Sequence, residues 1–168
     1  MSKAFTSEET EDTSVAGRPP KRAPRGQERP ITPEGHRALV EALEALESTG
    51  RAALRELAVE HEREQAKRQL EARVAMISAT LESVRVVTPP EQDDGVVRFG
   101  SVVTLMWSGG REQTVRLVGP DEADVKTGKL SIDSPLARAL LDAKEGSSIE
   151  VERPRGVEEA TVTRVRSR

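Results

Sequence analysis

The chain has 168 residues, of which 33% are charged and 2% aromatic, with a formal net charge of −3 and no cysteine. Disulfides, thiolate metal sites and cysteine nucleophiles are thereby excluded, any core must be assembled from Leu, Val, Ile and Ala, and coating of nucleic acid by bulk charge is disfavoured. No apolar run approaches the length of a membrane span, and Met1 to Val15 lacks the apolar centre of a secretion signal, so a cytoplasmic protein with no membrane partner is expected.

Residues 1–30 hold Gly17, Pro19, Pro20, Pro24, Gly26 and Pro30 with few large apolar side chains, too little to offset the entropy of ordering, and a disordered tail is predicted there. Its first half is acidic, with Glu8, Glu9, Glu11 and Asp12. Its second half is basic, with Arg18, Lys21, Arg22, Arg25 and Arg29. Lys21, Arg22 and Arg25 are the candidates for touching a nucleic acid or an acidic protein surface, although such runs are more often only solvated.

Thr32-Pro33-Glu34-Gly35 reads as a helix start: Thr32 caps, Pro33 has no N–H to lose at the first position, and Gly35 is tolerated in the first turn. Leu39, Leu43, Leu46, Gly50, Ala53 and Leu57 then recur at steps of three and four. Leu70, Val74, Ile77, Leu81 and Val84 repeat the pattern until Thr88-Pro89-Pro90 ends it. Between these seams the apolar period lapses. An antiparallel hairpin over residues 31–88, turning near 61–66 and pairing Leu57 with Leu70, Leu46 with Leu81 and Leu43 with Val84, buries both seams within one chain, and a monomer is expected.

After a linker at 89–95 the period changes from 3.6 to 2. Strands are predicted over Val96–Phe99, Val102–Trp107, Thr114–Val118, Lys129–Asp133, Ser148–Glu152 and Ala160–Val165, with Gly109-Gly110 turning the first clear hairpin. One helix, Pro135 to Ala143, is capped by Ser134 and stopped by Gly146. The fold class is therefore α+β: an N-terminal coiled-coil hairpin followed, over 96–168, by a small, mostly antiparallel sheet domain with one short helix. His36 and His61 are the only histidines, and neither has a nucleophile arranged beside it, so the chain is expected to carry no enzymatic site of its own.

The segment Ser131-Ile132-Asp133-Ser134-Pro135-Leu136-Ala137-Arg138-Ala139-Leu140-Leu141 resembles the signature of the bacterial Gre family of transcription elongation factors. Phe99-Gly100-Ser101-Val102-Val103 is similar to that family's entry into its C-terminal domain, and Arg116 to Asp124 to its central strand and loop. Thr32-Pro33-Glu34-Gly35 matches its helix start, so the resemblance spans about residues 32 to 165. The run Asp121-Glu122-Ala123-Asp124 is not a helicase motif, because no phosphate-binding loop precedes it.

The resemblance implies an FKBP-like C-terminal domain that docks on the rim of the RNA polymerase secondary channel, with Asp133, Ser134 and Pro135 on the docking surface and the hairpin inside the channel. Contact with RNA or DNA would then be indirect, within the transcription complex. Active members carry an acidic pair at the hairpin tip in a pattern like Gly-Asp-x-x-Glu-Asn-Ala, which helps hold the polymerase's second Mg²⁺ for transcript cleavage. A prolyl isomerase is disfavoured despite the FKBP-like fold, since Phe99 and Trp107 are the only aromatics of the domain.

That tip pattern is absent here. The nearest match is Glu60-His61-Glu62-Arg63-Glu64-Gln65-Ala66, where His61 replaces the aspartate and is a poor Mg²⁺ ligand, leaving Glu60, Glu62 and Glu64 as the carboxylates. The hairpin also lacks roughly a dozen residues relative to cleavage-active members, which at 1.5 Å per residue over two helices shortens its reach by roughly 10 Å. The expectation is a short-armed relative that binds polymerase and regulates elongation without efficient cleavage and without a cofactor of its own. The alternative is a cleavage factor with a degenerate acidic tip that uses the polymerase's Mg²⁺.

Overall fold

The computed structural model describes residues 28–91, 93–153 and 156–167. Two helices lead: α1 (Pro33–Glu56) and α2 (Glu60–Ser83), 24 residues each and so about 36 Å long. They are flanked by two three-residue strands, β1 (Arg29–Ile31) and β2 (Val84–Val86), which pair in parallel and close the open end of the hairpin. Arg29 and Pro30, expected in the tail, thus belong to a strand, and Val84, expected on the helical seam, begins another.

The reversal is a further correction. It lies at Leu57-Ala58-Val59, ahead of the predicted 61–66, so residues 60–66 form the first turns of α2. The register moves with it: Leu70 packs against Gly50, where an added Cβ would come within 2.5 Å of the Leu70 Cδ1, and not against Leu57. Nor are the seams fully covered, for α2 contains no buried residue and α1 only Gly35.

The second unit is a five-stranded sheet in the order β5-β4-β3-β7-β6, built from β3 (Val102–Trp107), β4 (Glu112–Val118), β5 (Lys129–Ser131), β6 (Ser148–Arg153) and β7 (Gly156–Arg166). All its pairings are antiparallel except β4 with β5. Alternation in β3 sends Val103, Leu105 and Trp107 to one face, where Leu117, Val162 and Leu136, Ala137 and Leu140 of the short helix α3 (Pro135–Leu140) complete the core. Each fully buried leucine here contributes about 2 kcal/mol. Gly110, at φ 78°, makes the expected β3–β4 turn.

Val96–Phe99 is not a strand. Val96 makes an isolated bridge to Lys144, while Val97 exchanges backbone hydrogen bonds with Asp142 and Ala143 (3.0 and 2.9 Å). That exchange pulls the chain out of helix after Leu140, short of the expected Ala143. The left-handed residue at the stop is Asp142 (φ 64°), ahead of Gly146. β5 likewise ends at Ser131, not Asp133, because the next residues turn to cap α3.

Candidate functional site

Three places on this scaffold hold the candidate residues and the contacts that position them: the corner before α3, the apex of the hairpin, and the root where hairpin and sheet meet. At the corner, the Ile132 N–H donates to the Val118 carbonyl (3.0 Å) and anchors the turn on β4. The Asp133 N–H donates to the Ser131 Oγ and the Ala137 N–H to the Ser134 Oγ, each at 3.2 Å. Ser134 is therefore the cap the sequence implied, with Pro135 behind it. Asp133 and Pro135 are exposed, and the Asp133 carboxylate forms no ion pair with a described residue. The corner thus has its backbone fixed by hydrogen bonds and presents Asp133 and Pro135 outward.

The apex lacks glycine, proline and asparagine. Arg63 makes the reversal instead: its Nε and an Nη donate to the Leu57 carbonyl (3.2 and 2.6 Å), left without a helical partner at the end of α1, and its other Nη meets Glu60 at 3.0 Å. The apolar pattern gives Arg63 no role. The available signal was its position six residues after a helix end that had no other cap.

His61, Glu62 and Glu64 are exposed. Glu60 and Glu64 share a helix face, but Glu60 is drawn to Arg63, and Glu62 lies on the opposite face, so the three carboxylates do not converge. Among the described residues, no group of three or more acidic or histidine side chains could hold a metal ion. A divalent cation prefers several oxygen donors meeting at one point, and the apex does not supply them. Lys21, Arg22 and Arg25 lie outside the described residues.

The root is where most of the unanticipated chemistry lies. Glu122, on the loop after β4, reaches across to the start of α1: Thr32 donates to it from both its N–H (2.6 Å) and its Oγ1 (2.5 Å), while the Thr32 Oγ1 also accepts from the Gly35 N–H (3.0 Å). The carboxylate occupies the space where any side chain at position 35 would begin, so Gly35 is required by the contact and not merely tolerated. An anion at a helix N-terminus is favoured by the unpaired N–H groups and the helix dipole.

Around it, Arg116 meets Glu34 at 3.2 Å, and Arg29 meets Asp121 at 3.1 Å while an Arg29 Nη donates to the Ser83 Oγ (2.9 Å). The Asp121 side chain is only 4% exposed, and its contact with the Arg29 Nε is off the hydrogen-bond axis, so the attraction is chiefly Coulombic. Burial pushes the Asp121 carboxyl up from its usual range, the Arg29 charge pulls it down, and neighbouring Glu122 adds to the rise. Pro30 and Ile31 lie against Gly119, and Ile31 and Val118 are completely buried outside the main core. Arg29, Glu34, Gly35, Arg116, Asp121 and Glu122 thus join the two units.

Comparison with known proteins gives this geometry its context. Residues 90–167 match the model of the family described as "Transcription elongation factor, GreA/GreB, C-term". The chain is 36% identical over 154 residues to the transcription elongation factor GreA of Psychrobacter cryohalolentis, covering 83% of this chain and 98% of the relative. It is 35% identical over 150 residues to GreA of Hyphomonas neptunium, covering 81% and 96%. Since 83% of 168 residues is about 139, the 154-residue alignment leaves about 15 positions of the Psychrobacter protein without a counterpart here. A crystal structure of the GreA factor homolog 1 protein of Thermus thermophilus aligns with 28% identity and a TM-score of 0.39, over 83% of this chain and 99% of that one. With a relative matched over nearly its whole length above one-third identity, the chain belongs to the GreA/GreB family of transcription elongation factors.

Proposed function

We propose that this protein binds bacterial RNA polymerase at the secondary channel through the corner at Asp133, Ser134 and Pro135, places its hairpin in the channel, and regulates elongation without efficient stimulation of transcript cleavage. Family membership supports the partner and the process. The observation that carries the rest is the apex: an apolar reversal at Leu57-Ala58-Val59, with Glu60 held sideways by Arg63 and Glu62 facing away from Glu64. Such an arrangement can obstruct a channel, and with Glu60 drawn to Arg63 it leaves Glu64 alone on its face to approach a metal held by another protein, so no hydrolytic step is assigned to it.

The shortness of the arm points the same way. Two helices of 24 residues set a reach of about 36 Å, and in this reading most of the about 15 positions of the Psychrobacter GreA that lack a counterpart here belong to the arm. Metal ligation tolerates errors of tenths of an ångström, so losing even one helical turn would uncouple a carboxylate from its ion.

The test is co-purification with core polymerase followed by a cleavage assay on a backtracked complex with the same preparation. Retained binding with little added cleavage is expected. Asp133→Asn and Pro135→Ala should weaken binding, and intact binding by both would remove the corner from the docking surface. Robust cleavage that vanishes in the Glu60→Ala, Glu62→Ala, Glu64→Ala triple variant would establish a cleavage factor instead.

A further inference from the structure

The hairpin leaves a groove open over about two turns of each helix. It measures about 280 Å³ and is lined by Leu54, Leu70 and Val74 at its floor and by Glu47, Arg51, Lys67 and Glu71 at its rim. The rim charges are arranged in levels. In an antiparallel hairpin, Arg51 and Lys67 lie nearer the apex than Glu47 and Glu71. The groove therefore has an acidic level and, one turn or about 6 Å along, a basic level. Like faces like across the groove at both levels.

The pairs that would relieve this within one helix are not formed. Glu47 and Arg51, like Lys67 and Glu71, have the one-turn spacing of an internal ion pair, yet none of the four is ion-paired with a described residue. Below them, Leu54, Leu70 and Val74 are only half-buried, and Gly50 provides no side chain to cover Leu70.

We infer that this groove is a self-complementary interface and that a second copy of the chain docks on it face to face, arm against arm in opposite directions. A two-fold axis lying in the interface and crossing the groove midway between the levels sets α1 over α1 and α2 over α2. Glu47 then meets Arg51 of the second copy and Glu71 meets Lys67 of the second copy, and each of these contacts occurs twice by symmetry. Like-charge crowding within each arm becomes opposite-charge contact between arms, and the leucine floor is covered on both sides at once. This revises the monomer expected from folding two seams together, because those seams are not closed by the fold-back alone. A dimer of this kind covers the arm, so pairing and insertion of the arm into another partner exclude one another.

Sedimentation of the full chain from about 1 to about 500 µM tests the interface, the mass doubling as concentration rises. Raising salt from about 50 to about 500 mM should weaken association about tenfold, since the contacts are exposed ion pairs. Two variants then probe the geometry: Glu47→Lys with Glu71→Lys makes the groove wholly basic, and Arg51→Glu with Lys67→Glu makes it wholly acidic. Each alone should remain at the mass of one chain, while an equimolar mixture restores the doubled mass. A single-chain mass for the unaltered protein throughout the range overturns the proposal. So does association that salt strengthens, that either variant keeps alone, or that the mixture fails to restore. The salt series needs no variant, and circular dichroism at matched concentration verifies that the variants keep their helices.

Discussion

The root and the apex of the hairpin are built by opposite means. At the root, charged groups are wholly or partly withdrawn from water and answered one by one: Asp121, the most buried, by Arg29, Glu122 by Thr32, Glu34 by Arg116. At the apex, a single arginine closes the chain and the other charged side chains stay in solvent. Burial makes an error at the root costly, because a stranded charge cannot recover its hydration, whereas water supplies whatever an apex mutation removes. The consequence is an arm whose direction is fixed where it leaves the sheet domain and whose end is free to differ in sequence.

Arg29→Ala should break this contrast most sharply. It leaves Asp121 buried without its cation, and the expected loss is about 3 kcal/mol, read as a shift in the denaturant midpoint. The pH dependence gives a second reading. Burial raises the Asp121 pKa, and losing Arg29 removes the interaction that pulls it down, so in the variant it rises further. Between the unfolded carboxylate value of about 4 and the raised native value, the folded chain binds more protons than the unfolded one, and stability grows as pH falls through that window. The cost of Arg29→Ala should therefore be smaller at pH 5 than at pH 8. An equal cost at both would show that Arg29 acts through packing or Ser83 alone.

Gly35→Ala comes next. The new methyl group must expel the Glu122 carboxylate, at an expected cost of about 2 kcal/mol from its two lost hydrogen bonds with Thr32 and the displaced charge. Glu122→Ala alone should cost about 1 kcal/mol, and the double variant should cost clearly less than the sum, because removing the carboxylate makes room for the methyl. Strict additivity in that cycle would mean that the two residues do not meet. Arg63→Ala tests the apex: about 1 kcal/mol, with faster amide exchange confined to the first turn of α2.

The unequal legibility of these regions in the sequence follows from the same physics. The β3–β4 hairpin could be read because alternation and Gly109-Gly110 are local signals, and both helix caps, Thr32 and Ser134, are read from four consecutive residues. The root joins residues 29–35 to 116–122, and nothing local distinguishes Glu122 from any loop glutamate or reveals that Gly35 is kept small for its sake. β1 and β2 are three residues each and pair across a gap of more than fifty, too short for periodicity to register. The reversal was misplaced because an arginine, not a turn residue, makes it. Among the candidate residues, the corner is legible as a motif, while the failure of Glu60, Glu62 and Glu64 to converge depends on where α2 begins.

The smallest effect belongs to Glu62. It sits in the first turn of α2, where a negative charge interacts favourably with the helix dipole, and it touches no described partner through its side chain. Glu62→Gln should therefore cost about 0.3 kcal/mol, near the limit of a denaturation experiment, and should leave polymerase binding unchanged. Glu60→Gln differs from it only by the contact with Arg63, an exposed pair worth about 0.5 kcal/mol. Comparing the two isolates that contact from the dipole both share. If Glu62→Gln instead weakens polymerase binding several-fold with stability intact, the carboxylate is recognised by the partner, and the apex must be counted with the corner as a place where this chain is read.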